Sequence, residues 1–286
     1  MIPGAFDYHR PSSLTEAIGL LARYGDESRV IAGGHSLIPM MKLRLAQPAH
    51  LIDLAGIGGL AGASEDGQEL VLGALTTQHD ILASDLVRAR CPLLHETAIL
   101  IADPQVRYCG TIGGNVANGD PGNDMPAVMQ CLDDERGVQG PSGERRIKAR
   151  EFYEAAYFTK LASDEILIGI RIPAPPAGHG WAYEKQKRKV GDYATAAAAV
   201  ILALEGGRCA HASIALTNLG QTPILVETAL VGAAVDDAAI AAACAAAEAA
   251  SDPVADMRGP VDYRRHLAGV MTDRALRRAL ARGRAH

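Results

Sequence analysis

The sequence predicts an α+β protein of two or three packed units, on three observations. The 286 residues exceed one ordinary domain. Helix-period and strand-like segments intermingle from Ser13 to Ile172. A Pro/Gly-rich stretch, Ala174 to Gly180, then separates this part from a tail of different composition, and it reads as a linker.

Each element has its own signal. Ser13 to Glu16 fits a capping box, and Leu14, Ala17, Ile18 and Leu21 fall on one helix face, with Gly25 as the stop. Arg29 to Ala32 reads as a buried strand ending in Gly33-Gly34; His50 to Leu54 and Glu69 to Gly73 are further strands. Cys91 to Ile101 reads as a helix. Ala102 to Asp124 is rich in Gly, Asn and Asp and broken by Pro104 and Pro121. A structureless stretch of that length inside a domain is usually functional. Glu165 to Ile172 alternates and ends at Pro173, so it reads as a strand. Beyond the linker, Glu227 to Asp256 carries six acidic residues and no Lys or Arg, with an Ala-rich helix inside it. Met257 to His286 carries eight arginines against Asp262 and Asp273, with a helix from Tyr263 onward. Such blocks read as solvated helix faces packing on one another, a docking surface for a partner subunit being the alternative.

Composition excludes several classes. Hydrophobic content of 48% and charged content of 21% are ordinary for a globular protein, and only 4% is aromatic, so the cores are aliphatic. A net charge of -5 argues against nucleic-acid binding. The longest apolar run, Ala194 to Leu204, is too short to span a membrane, and Asp7 and Arg10 interrupt the place of a signal peptide's apolar region, so the expected compartment is the cytoplasm. The five scattered cysteines form no CxxC pair and read as buried thiols, without an iron-sulfur or zinc ligand cluster.

Gly56 to Ala61 matches the dinucleotide fingerprint, but Gly62 to Gly67 is turn chemistry where that motif needs a helix, so the segment reads as a loop. Two other glycine pairs are better placed: Ala32-Gly33-Gly34-His35-Ser36 after a strand, and Thr111-Ile112-Gly113-Gly114-Asn115 within the long polar segment. Glycine permits close backbone approach, and successive N–H groups in such turns can cradle phosphate oxygens. Either alone reads as an ordinary turn; together, with the long loop around the second, they leave two readings open, a pair of ordinary turns or a pyrophosphate cradle.

The segments AGGHSLIPMMKLR (Ala32 to Arg44), IADPQVRYCGTIGGNVANGDPGNDMPA (Ile101 to Ala127), YEKQKRKVGDYATAAAA (Tyr183 to Ala199) and RGPVDYRRHLAGVM (Arg258 to Met271) occur in that order. In them the chain resembles the FAD-binding subunit of the xanthine dehydrogenase family of molybdenum hydroxylases, most closely the medium subunits of its aerobic carbon monoxide dehydrogenase branch. The resemblance implies a two-part FAD-binding domain of the vanillyl-alcohol oxidase/PCMH type, with an α/β unit over residues 1–55 and an α+β unit over 56–176. It implies a C-terminal domain over 177–286, a three-stranded antiparallel sheet packed on a helical bundle.

By the same resemblance, Val30, Ile31, Ala32, Gly33, Gly34, His35, Ser36 and Leu37 form the first FAD loop. Thr111, Ile112, Gly113, Gly114 and Asn115 form the second. Ile101 packs on the adenine, and Asp124 accepts from a sugar hydroxyl, with a helix N-cap as its plain structural reading. Leu167 lies on the strand reaching the flavin. Lys185 stands near the isoalloxazine, where a cation stabilises the reduced ring. Tyr193 lies over that ring, and His35 serves through its backbone rather than as a base. No catalytic residue and no metal ligand is assigned to the chain itself. The resemblance further implies a small [2Fe-2S] subunit and a large molybdopterin subunit as partners, assembled as a dimer of heterotrimers. The FAD relays electrons from the iron-sulfur centre to a quinone, and the complex is cytoplasmic or peripheral at the inner membrane face. The alternatives are the FAD subunit of a related aldehyde, purine or N-heterocycle dehydrogenase, a non-catalytic FAD-binding module, and a stand-alone flavin oxidase. The last is disfavoured for want of a substrate-domain-sized insertion and a His-linked flavin pattern.

Overall fold

A computed structural model describes residues 2–283. Its first layer is a parallel sheet with strand order Asp7–His9, His50–Asp53, Ser28–Ile31. The helix Leu14–Tyr24 covers it with Ala17, Ile18 and Leu21. Ser13 caps this helix by accepting from the Glu16 N–H. The Glu16 carboxylate turns to the N–H and hydroxyl of Ser12 instead of Ser13, so the capping box is displaced by one residue. Gly25, at φ 50°, ends the helix.

The second layer is an antiparallel sheet ordered Ala63–Asp66, Glu69–Gly73, Ile166–Ile172, Glu135–Gly140, Gly143–Lys148. Ala63–Asp66, turn-like by sequence, pairs as a strand closed by Gly67 at φ 62°. Gly56 to Ala61 stays free of regular helix beyond a single turn, as a loop should. Central strand Ile166–Ile172 serves two cores. Ile166 and Ile168 pack toward the first layer, while Leu167, Ile170 and Ile172 enter the main core with the helices Pro92–Leu100 and Asp124–Leu132. A register shift between Leu167 and Gly169 interrupts the alternation.

The segment Ala102 to Asp124 is more ordered than its composition suggests. Two short helices, Pro104–Cys109 and Ile112–Ala117, are capped by Asp103 and Thr111, whose side chains accept from Val106 and Gly114. Polar caps and a proline at a helix start look like loop chemistry in sequence, which is why the helices were hidden. Of the cysteines, Cys109 is exposed, contrary to expectation, because it ends one of these surface helices.

The third layer holds three long antiparallel strands, Gly180–Gln186, Ala196–Glu205 and Arg208–Thr217, with the two-residue strand Ile224–Leu225 at one edge. The apolar run that ends at Leu204 is the middle strand, and its two faces belong to different cores. Ala197, Ala199 and Ile201 join the main core; Ala196, Ala198, Val200 and Leu202 pack on the helices Asp237–Ala250 and Val261–Gly283. Among the described residues, no helix is long and apolar enough to cross a membrane.

The basic block is largely consumed inside the molecule. Arg277 pairs with Asp237 and Asp273 at 2.8 and 3.0 Å. Arg278 reaches Glu96 at 2.9 Å and also Glu184, and Arg282 reaches Glu96 at 2.7 Å. Buried Arg264 donates to the carbonyls of Val254 and Asn218. These arginines bind the last helix to earlier layers, which weakens the docking-surface reading of the block; Arg284 lies outside the described residues.

Candidate functional site

The two glycine loops meet. A Cβ on Gly33 would overlap the Cys109 carbonyl, and one on Gly114 would stand 2.9 Å from the Thr111 hydroxyl and 3.7 Å from the Ala32 methyl. The parallel sheet delivers the first loop, with Gly34 at φ 72° turning the chain into the helix Leu37–Lys42. The antiparallel sheet delivers the second. Thr76 and Ala74 accept from the N–H groups of Ile112 and Gly113 at 2.9 Å each. Gly113 is buried, and a Cβ there would lie 2.6 Å from Ala74, so the close approach requires glycine.

Their chemistry differs in a way the matching motifs hide. In the second loop the backbone donors of residues 112–115 are spent: beyond Ile112 and Gly113, the Gly114 N–H goes to the Thr111 hydroxyl and the Asn115 N–H to the Thr111 carbonyl. In the first loop, among the described residues, no acceptor is paired with the N–H groups of residues 33–37. The His35 Nδ1 donates back to the Gly33 carbonyl at 2.7 Å, which fixes the exposed ring as a brace for the turn. In the second loop, Asn115 gives its carbonyl to the Asn123 amide, while its own side-chain oxygen is buried without a partner. The first loop thus presents a row of unpaired donors, and the second is internally hydrogen-bonded with one unmet acceptor. An FAD fits this arrangement: its phosphate oxygens suit the row of donors, and a ribose or ribityl hydroxyl suits the Asn115 oxygen.

A second cluster lies where the main core meets the third layer. Asp124 is the first residue of its helix, the cap position being Asn123. Lys185 Nζ meets Asp124 Oδ2 at 2.7 Å, and the Tyr183 hydroxyl donates to Oδ1 at 2.6 Å. The Lys185 and Asp124 side chains are only 2% and 6% exposed. Burial, then the Asp124 charge, pushes the Tyr183 hydroxyl well above its ordinary range, so it stays a donor. Lys185 therefore spends its charge on a carboxylate of the chain itself. Asp124 is likewise held by protein groups first. Tyr183 was missed by sequence reading, although its spacing of two from Lys185 puts both on one strand face.

Tyr193 stands beside the segment that leads into Asp124. Its ring lies over Gly122, where a Cβ would come within 3.1 Å of Cδ1, and is 41% exposed. Its turn rests on Gly191, at φ 81° and packed on Ala102, itself at φ 44°. Burial raises the Tyr193 hydroxyl above its ordinary value, with Asp120 adding to the effect, so it is no proton acceptor at neutral pH. Burial, then Asp120, pushes Tyr157 to about 12; its charge coupling to Tyr193 marks it as a neighbour that sequence reading did not find. Ile101 is buried one residue before Ala102, with its carbonyl held by Arg107 at 2.8 Å. Leu167 is sealed in the main core, so its side chain offers the site no open surface.

Comparison with known proteins finds relatives over the full length of the chain. A family described as FAD binding domain in molybdopterin dehydrogenase matches residues 4–175, and one described as CO dehydrogenase flavoprotein C-terminal domain matches residues 181–279. The carbon monoxide dehydrogenase medium chain of Afipia carboxidovorans is 57% identical, covering 99% of this chain and 100% of that one. The corresponding chain of Hydrogenophaga pseudoflava is 48% identical, covering 99% of each. A chain in the structure of reconstituted CO dehydrogenase from Oligotropha carboxidovorans superposes with a TM-score of 0.97 at 57% identity, over 99% of this chain and 100% of that one.

Proposed function

Since the chain belongs to the FAD-binding subunit family of the molybdopterin dehydrogenases, we propose that it is the flavin-carrying medium subunit of an aerobic carbon monoxide dehydrogenase. The observation that carries this reading is the contact between the glycine loops, at Gly33 on Cys109 and at Gly114 near Ala32, with a row of unpaired N–H groups on one loop and the unmet oxygen of Asn115 on the other. FAD bound there supplies redox chemistry in both one- and two-electron steps. The chain's own residues bind and shield it. The N–H groups of residues 33–37 hold the pyrophosphate, and Asn115 accepts from a sugar hydroxyl. Ile101 borders the adenine. The Asp124–Lys185–Tyr183 cluster fixes the far wall while adding little net charge, and Tyr193 covers one face of the isoalloxazine.

The wider complex follows the same reading. Carbon monoxide oxidation belongs to a large molybdenum subunit, and a small [2Fe-2S] subunit bridges it to this chain. We assign the assembly to the cytoplasm as a dimer of heterotrimers, with the chain divided at 55/56 and 176/177. The full-length likeness to two carbon monoxide dehydrogenase chains favours this substrate over aldehydes, purines or N-heterocycles, and over a free-standing FAD module. Purification from the source cells tests it. The chain should co-elute with one iron-sulfur and one molybdenum subunit, at a mass of two heterotrimers by light scattering, with one FAD per chain by absorbance. The isolated chain loaded with FAD should not oxidise carbon monoxide; turnover by the pure chain would overturn the assignment.

A further inference from the structure

The turn Asp256 to Gly259 closes on itself, with backbone hydrogen bonds of 3.2 and 3.1 Å between its end residues. Asp256 organises it by accepting from the Arg258 N–H at 2.7 Å and from Arg258 Nη1 at 3.0 Å. The Arg258 side chain then reaches out of its own segment. Its Nη2 lies 4.0 Å from Asp192 Oδ1, and its guanidinium carbon lies 5.8 Å from the centre of the Tyr193 ring. Its Nε is buried and unpaired.

Asp192 is the node of the Tyr193 turn. Its Oδ1 accepts from the Tyr193 N–H at 2.9 Å, and its Oδ2 takes Arg188 at 3.1 Å. Burial favours the neutral acid, but Arg188 and the Tyr193 N–H outweigh it and hold the carboxyl below its ordinary range. The turn therefore keeps a charged centre on which a second cation can pull. Arg188 is exposed and close in sequence, so it shares the turn's own motion. Arg258 stands on a different, internally braced turn. Buried Arg264 anchors that turn through Asp256 at 3.6 Å and through the Val254 carbonyl.

We propose that Arg258 is the positioning residue for Tyr193: it ties the Gly191-Asp192-Tyr193 turn to the C-terminal helix layer and so keeps the tyrosine ring aimed over the cofactor cleft. The proposal rests on the reading of Tyr193 as the residue covering the flavin. A cation over an aromatic face, together with an ion pair to the preceding residue, restrains both ring and backbone. Lysine restores the charge without the planar fork, so Arg258→Lys should recover the pairing with Asp192 in part only.

Flavin fluorescence tests this in the FAD-loaded full-length chain, because a tyrosine stacked on a flavin quenches its emission by electron transfer. Tyr193→Phe should lengthen the mean emission lifetime severalfold. Arg258→Gln should do the same in part, add a long-lived component and raise iodide quenching, with FAD stoichiometry kept; Arg258→Lys should fall between it and the parent. On a Tyr193→Phe background, Arg258→Gln should add nothing further, since the two act as one unit. An unchanged lifetime in Arg258→Gln, with a clear change in Tyr193→Phe, overturns the positioning role and leaves the cover reading standing. An unchanged lifetime in Tyr193→Phe removes the cover reading and this proposal together. If Arg258→Gln fails to fold, Arg258→Lys decides by the same comparison.

Discussion

At the scale of single residues, the two glycine pairs call for different experiments. Gly33 is required by the protein, since any side chain overlaps the backbone at Cys109. Gly33→Ala should therefore lower thermal stability and FAD content together. Gly114 is exposed, and only the Thr111 hydroxyl crowds it, at 2.9 Å. Gly114→Ala should keep the fold by circular dichroism yet weaken FAD retention on a desalting column by at least about tenfold, which corresponds to roughly 1.4 kcal/mol. Retention equal to the parent would place the cofactor elsewhere. A second residue-scale test lies away from the site. Asp134 and Arg136 are fully buried and paired at 3.2 Å, with the guanidinium over Phe152 at 4.2 Å. Its two terminal nitrogens find no partner. Burial pushes the Asp134 carboxyl from 3.8 up to about 6, against the pull of Arg136. The folded state thus holds this proton more tightly than the unfolded one, so the group's contribution to stability falls as pH rises from about 4 to about 6. Comparing urea midpoints of the parent and Asp134→Asn across that range should show the difference. Arg136→Met at neutral pH leaves the carboxyl alone in the core and should cost about 3–5 kcal/mol; adding Asp134→Asn should recover most of it.

At the scale of elements, the helix Ile112–Ala117 is the one whose loss would tell most. It is only six residues long, and Thr111 is its cap. Thr111→Ala should cost about 1 kcal/mol in denaturant unfolding. It should also loosen FAD, because the Gly114 N–H loses its internal acceptor and the wall shifts toward the cradle. A stability loss with FAD affinity unchanged would separate the wall from the site. Much of this element was legible as a motif and little of it as a shape. The order of the glycine pairs was plain, as were the helix Leu14–Tyr24 and the strand ending at Ile172, because periodicity and flanking turn residues spelled them out. The helical state of Ile112–Ala117 was not legible, since Gly113-Gly114 argues against a helix by local propensity, and the Thr111 cap together with the carbonyls of Ala74 and Thr76 reverses that preference. The pairing of Lys185 with Asp124, 61 residues apart, was equally hidden: each residue was placed at the site, and only the folded chain shows them spending their charges on each other.

At the scale of the molecule, Asp124 belongs to a helix of the main core and Lys185 to the sheet of the third layer, so their buried pair is a joint between layers. Lys185→Met should strand the carboxylate and destabilise the whole chain by about 3–5 kcal/mol. Thermal unfolding should remain a single transition, because the middle strand Ala196–Glu205 belongs to both adjoining cores; two resolved transitions would show that the layers fold separately. That strand has a further consequence. With alanines at 196 through 199, it lets both neighbouring layers come close, and its side-chain volume fixes the gap between them. It acts as a shim. Thickening it on one face, as in Ala197→Val, adds bulk that the close-packed interior must relieve by moving something, and the helix beginning at Asp124 is among the parts that can move. A change of two carbons in a strand that bears no site residue is thereby, on the proposed function, a way to widen the cofactor cleft, and the alanine stretch then sets a mechanical tolerance for the flavin's seat.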